Sequence, residues 1–316
     1  MFSLFFSIFF ILCSVILTLL FFFFQKHKLY STHTKKSTYS GELKNNKRQG
    51  KGTLYYKSGE IYEGNFLNNK RHGHGKYSWK AGLSYEGLWE NGERSGWGVL
   101  KSNGQGLIYE GFWAKGELNG QGAKYYAHGV YEGNFSNNKE NGYGTFVYVN
   151  RDKYEGYWLE GQRNGFGTLY NENKGKIFEG TWALDRYEGE GTEYCEKGRY
   201  TGLFKAGLKD GNGKFYYEDG TAFEGFWVKG EKCGWGVAWD CSQRKVFEGF
   251  WRNGEKNGFG VEFYGTARFE GEFKSGKKCG PGKITWANGI VVAGLWENDV
   301  KIGNLSMDEY KSTYKH

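Results

Sequence analysis

The chain has 316 residues, with 52 Gly, a single Pro, 19% aromatic residues and a net charge of +8. This composition excludes collagen-like and Pro-rich disordered classes. Residues 26–51 hold eight basic side chains against the one acid Glu42 and so account for +7 of the net charge; the 35 basic and 34 acidic residues elsewhere nearly cancel, which argues against a nucleic-acid binder.

Leu4 to Phe24 runs 21 positions without a charge. At about 1.5 Å per residue such a helix crosses the roughly 30 Å hydrocarbon core of a bilayer, so residues 1–24 are expected to form a single-pass transmembrane anchor. A cleaved signal peptide would carry a basic start and small residues at a cleavage site; here only Met1, Phe2 and Ser3 precede the run, and four Phe end it. Lys26, Lys28, Lys35, Lys36, Lys44, Lys47, Arg48 and Lys51 follow. By the positive-inside bias these residues hold the downstream chain in the cytosol. Beside a membrane they are candidate ligands of anionic phospholipid headgroups, at roughly 1 kcal/mol per basic residue near the surface. Residues 25–38 then form a basic juxtamembrane tether; the alternative for the basic stretch is a solvated linker that only sets the topology.

From residue 39 to residue 303 one pattern recurs twelve times with a period of about 23 residues. An aromatic or apolar residue is followed two positions on by Gly and two further on by a large apolar side chain, as in Tyr62-Glu63-Gly64-Asn65-Phe66. Copies open at Tyr39, Tyr62, Tyr85, Tyr109, Tyr131, Tyr154, Phe178, Tyr200, Phe223, Phe247, Phe269 and Val292. A fixed spacing of this kind means one supersecondary unit stacked along an axis, and function on an extended surface.

Each copy reads as a β-hairpin. Side chains alternate along a strand, so Tyr62, Gly64 and Phe66 share one face while Glu63 and Asn65 take the other. A Gly between two rings leaves room for a neighbouring side chain to lie across the strand. The third position after Phe66 is Asn69, and its counterparts are all Asn, Asp or Gly, which predicts a turn residue with positive φ. The second strand then opens on a Gly-x-Gly such as Gly73-His74-Gly75, with Tyr77 and Trp79 to follow on the glycine side.

These residues resemble the MORN (membrane occupation and recognition nexus) repeat family, whose pattern is Tyr-Glu-Gly-x-Trp/Phe, then Gly, then Gly-x-Gly, then an aromatic residue. The resemblance covers residues 39–303, with departures at Ser40, Leu184-Asp185, Thr201 and Val292-Ala293. It implies an all-β fold, an elongated twisted antiparallel ladder of about 11–12 hairpin repeats used for scaffolding, partner binding or membrane association, and it does not imply catalysis. Over it lies a second cycle. Repeats from Tyr85 onward run 24, 22 and 23 residues, three times over, so that Tyr85, Tyr154, Phe223 and Val292 are 69 apart. The first member of each triplet also carries a polar residue (Ser102, Asn171, Asp240) where most copies have an aromatic one. Duplication history accounts for such a cycle, and so would a structural turn completed by three hairpins. In the tail, residues 304–316, Ser306-Met307-Asp308-Glu309 has the form of a capping box, which predicts a short helix covering the exposed end of the last hairpin.

Neither enzyme chemistry nor a cofactor is expected. His72 and His74 lack the Cys or carboxylate partners of a zinc site, and the Gly-x-Gly strings lack the strand-loop-helix setting of a phosphate loop. The Glu column at the second position, Glu63 to Glu270, reads as solvated. A single sheet buries only one side, so the ring face is expected to stay partly open as an aromatic groove, with Tyr85, Trp89, Tyr109, Trp113, Tyr154, Trp158, Phe223 and Trp227 as candidate partner-binding residues. The reading that follows is a membrane-anchored scaffold holding a protein partner, or a helical or extended peptide, in that groove, which could also pair two copies of the chain. The alternative is a phospholipid-binding tether linking two membranes; a carbohydrate-binding array would need the opposite topology.

Overall fold

The computed structural model of the protein describes residues 30–33 and 37–314. The expected anchor at residues 1–24 lies outside them, as do Lys26, Lys28, Lys35 and Lys36. Among the described residues no helix is long and apolar enough to cross a membrane. They form 25 strands and one helix, α1 (Met307–Thr313). The chain divides into two compact units, residues 1–146 and 147–316. The even spacing predicts no such division, because the same repeat builds both units.

In the first unit every strand from Tyr30–His33 to Gly129–Ser136 pairs antiparallel with the next. In the second, every strand from Lys153–Leu159 to Val300–Leu305 does the same. Tyr30–His33, read above as part of the tether, is instead a strand that pairs with Ser37–Lys44 and places Tyr30 opposite Gly41.

One hairpin shows how the sequence builds the unit. Ile61–Leu67 and Lys70–Ser78 are joined by Asn68 and Asn69 with φ of 49° and 70°, a two-residue turn with both centres left-handed, whose twist matches that of the strands. The second turn residue has positive φ in all twelve hairpins, as its Asn, Asp or Gly identity predicts. Tyr62 opposes Tyr77 and Gly64 opposes Gly75, but Phe66 opposes Arg71, so three residues of the second strand bulge against Asn65 alone. The glycines of Gly73-His74-Gly75 therefore do different work. Gly73 takes φ of 66° in the bulge, whereas Gly75 leaves space for a ring. That ring comes from the partner strand of the same hairpin: Tyr62 folds over Gly64 and Gly75, and its hydroxyl donates to the Asn65 carbonyl at 2.9 Å. The same bond recurs in all seven Tyr-led repeats.

The 69-residue cycle has a local cause. In the first member of each triplet the register slips after Leu100, Leu169 or Ala238, so that Ile108, Ile177 and Val246 are extra residues in the following strand. The polar residue beside each slip closes the adjoining turn. Asn171 accepts from the backbone of Asn173 and Lys174, Asp240 from that of Ser242 and Arg244, and Ser102 from that of Gly104.

Candidate interaction surface

The two faces of each sheet differ in chemistry. On one, the ring that opens each of the first eleven repeats is fully buried, and the fifth-position ring, as at Trp89, stands edge-on between two of them. Trp89 lies 5.2 Å from Tyr85 and 5.4 Å from Tyr62, and its indole N–H donates to the Gly75 carbonyl of the preceding repeat at 3.0 Å. A cation closes this row from above. Arg71 sits 4.3 Å over Trp89 and donates to the Gly92 carbonyl at 2.7 Å, and Arg94 sits 3.9 Å over Trp113 and donates to the Gly116 carbonyl at 2.7 Å. Burial pushes the Tyr85 hydroxyl up to about 12, with Arg94 opposing the shift.

All eight residues expected to line an open groove lie in this row: Tyr85, Trp89, Tyr109, Trp113, Tyr154, Trp158, Phe223 and Trp227 are each at most 8% exposed. The row is a core. The single sheet covers its rings with its own side chains, chiefly the Arg or Lys that stands second in most second strands from Arg48 to Lys278, with Leu118, Glu140 and Tyr187 in that place in three repeats. Arg48 belongs to that column: it packs over Phe66 at 5.4 Å and donates to the Asn69 carbonyl at 3.0 Å, so it is not a free headgroup ligand. Lys44 and Lys47 are exposed at the first turn, and Lys51 is exposed on the opposite face.

From Lys209 onward the cation column is lysine, and its partners vary. Glu262 accepts from Lys256, from Lys278 at 2.8 Å and from Tyr264. Burial would push the Glu262 carboxyl up, but these bonds outweigh it and hold the group down at about 2. Lys209 pairs with Glu193 at 2.5 Å. Six residues on from Lys232 stands Ala238, where Lys256 has Glu262; Lys232 lies over Phe223 at 4.7 Å and Trp251 at 4.8 Å, and burial lowers its ammonium to about 8.

The opposite, open face carries the middle residue of each Gly-x-Gly and the residue after each first-strand Gly. In the first unit it begins polar, with Lys51, Thr53, Glu63, Asn65, His74, Lys76 and Glu86 lining a shallow groove. It then turns aromatic: Trp97 and Phe112, opposed across two strands, meet edge-to-face at 5.5 Å and are 48% and 46% exposed. In the second unit Trp235 and Phe250 repeat this pair at 5.4 Å, with Phe226 beside them and Phe166 exposed further toward the start. Trp97, Phe166 and Trp235 are 69 residues apart and so follow the triplet cycle, while Tyr143, exposed at the same middle position, stands outside it. That spacing was visible in the sequence as the middle residue of Gly-x-Gly.

Among the described residues no group of three His, Cys, Asp or Glu is placed to hold a metal ion. The capping box forms as read, with Ser306 accepting from Glu309 N and Glu309 accepting from Ser306 N, but α1 packs across the open face instead of covering the last hairpin's edge.

The MORN repeat family matches ten segments between residues 39 and 291, namely 39–61, 62–84, 85–106, 109–129, 131–153, 154–176, 178–198, 200–222, 247–266 and 269–291. The chain belongs to the MORN repeat family. The copies opening at Phe223 and Val292 complete the twelve hairpins. MORN repeats are generally associated with membrane or phospholipid binding and with scaffolding. A search of curated proteins returned no match. Among solved structures a streptogramin B lyase aligns over 86% of this chain and 83% of that chain, at 8% identity and a TM-score of 0.15, too low to support an argument.

Proposed function

We propose that the protein is a membrane-anchored scaffold, with its repeats in the cytosol, that binds protein partners through the aromatic rings of its open face. The observation that carries this reading is the recurrence of solvent-exposed, mutually packed rings, Trp97 with Phe112 and Trp235 with Phe250, on a face that has no second layer over it at those positions. Large rings held rigidly and left wet are the residues that anchor protein interfaces. The buried row, including Trp113 and Trp158, serves this surface by fixing the hairpins beneath it. The uncharged run Leu4–Phe24 and the lysines after it support the anchor and its cytosolic orientation.

The test is partner capture with the full chain in detergent, comparing the parent with Trp97→Ala/Phe112→Ala and Trp235→Ala/Phe250→Ala. Variants that melt like the parent should lose the proteins the parent retains. The phospholipid tether is favoured instead if every partner is kept while binding to anionic liposomes falls steeply with salt, the signature of Lys26 to Lys51 acting as a basic patch. Orientation is read from the sequons at Asn134 and Asn304: a mass shift on endoglycosidase treatment would invert the topology.

A further inference from the structure

The helix α1 already occupies part of the open face. Tyr310 is buried there, its hydroxyl donating to the Glu270 carbonyl at 3.4 Å and its ring lying 5.3 Å from Lys283 Nζ. Tyr314 packs against Phe259 with centroids 5.3 Å apart, and its hydroxyl donates to the Pro281 carbonyl at 2.8 Å. Phe259 and Pro281 are the middle residues of their Gly-x-Gly strings, in the same column as Trp235. The seat of α1 is thus the continuation of the exposed strip formed by Trp235 and Phe250.

The helix is built to leave. It has seven residues, too few to persist without a seat, and Asp308, Glu309, Lys311 and Ser312 face solvent. Its side-chain bonds to the sheet come from the two tyrosines. Segments held by so few contacts open at low cost.

We infer that the open face beneath α1 is a docking site for a tyrosine-bearing amphipathic helix of a protein partner, with α1 as the built-in competitor. The inference rests on the open face being the interaction surface, and it adds the occupant and its control. Tyrosines four positions apart project from one side of a helix. The seat supplies what such a pair needs: the Phe259 ring as an apolar contact, and the Glu270 and Pro281 carbonyls as acceptors for the two hydroxyls. While α1 is seated, a partner's apparent affinity falls by the fraction of molecules whose seat is vacant.

The probe is a fluorescein-labelled synthetic peptide of residues 304–316, titrated by anisotropy against the full chain in detergent. The parent should bind it weakly, and Tyr310→Ala/Tyr314→Ala, which frees the seat, at least ten-fold more tightly. Adding Phe259→Leu, which keeps an apolar side chain but removes the ring, should reverse the gain, and a probe with both tyrosines replaced by Ala should bind neither protein. Equal binding to parent and double variant, or tight binding indifferent to Phe259→Leu, overturns the inference. If partner capture is lost in Trp235→Ala/Phe250→Ala while the probe distinguishes no variant, this inference fails and the reading of the open face stands.

Discussion

Gly75 lies directly beneath the hydroxyl of Tyr62: a methyl group added to Gly75 would stand 2.2 Å from the tyrosine oxygen. The repeat follows from that contact. The glycine is a place where one hairpin's ring covers its own two strands, so that Trp89 of the next hairpin can close against it.

Gly75→Ala should therefore destabilise the first unit by about 1–3 kcal/mol through overpacking. Tyr62→Phe removes only the bond to the Asn65 carbonyl and should cost about 1 kcal/mol. Phe already stands at this position in Phe178, Phe223, Phe247 and Phe269, which supports the smaller effect. Urea melts of the two variants check the order; equal effects would contradict it.

Glu262 links stability to acid. Its folded carboxyl is held at about 2 against an ordinary value of 4.5, so its contribution is present above about pH 4.5 and is lost as pH falls from there toward 2. Glu262→Gln should cost on the order of 2 kcal/mol near neutral pH, and the difference from the parent should shrink as the pH is lowered through that window. A pH-independent difference would show that Lys256 and Lys278 do not act through the charge.

Lys232 lacks the carboxylate that Lys256 has six residues on, because position 238 is Ala. Ala238→Glu should supply it between Lys232 and Lys256, raise the Lys232 pKa from about 8 and stabilise the second unit near pH 7. Lys232→Met, which removes the desolvated charge while keeping the stem, should stabilise as well. The two melting shifts should not add in the combined variant, since Met leaves the new carboxylate with one partner fewer.

Asn171 tests the triplet cycle. Replacing it by Ala removes the acceptor for the backbone of Asn173 and Lys174 and should cost about 1 kcal/mol, with amide exchange rising at those two residues. If exchange is unchanged, the polar residue records only ancestry.

The hairpin was legible because its determinants are local. Asn68-Asn69, the glycine pairs and the alternating rings each constrain φ, space or face within a few residues, and Ser306 with Glu309 announced α1. The burial of Trp113 and Trp158 was not legible from alternation alone, since a lone sheet leaves one face uncovered unless something else covers it. Arg71, Arg94 and Arg163 do so from a neighbouring strand, and alternation along one strand does not show a cover supplied by the next. The aromatic open face was written in Trp97, Phe166 and Trp235, but Gly-x-Gly was read for its glycines and not for the residue between them. The slipped registers at Ile108, Ile177 and Val246 appeared only as repeat lengths until the pairing showed where the extra residue goes.

On the function proposed, partners meet the open face and not the ring row. Site-specific incorporation of a photo-crosslinking phenylalanine analogue tests it most directly, at Phe166 and Phe250 on the open face and at Phe178 and Phe247 in the buried row, in cells expressing the full chain. Protein adducts are predicted from Phe166 and Phe250 alone, scored for the variants that retain the parent's melting temperature. Adducts from Phe178 or Phe247, with none from Phe166 and Phe250, would contradict it.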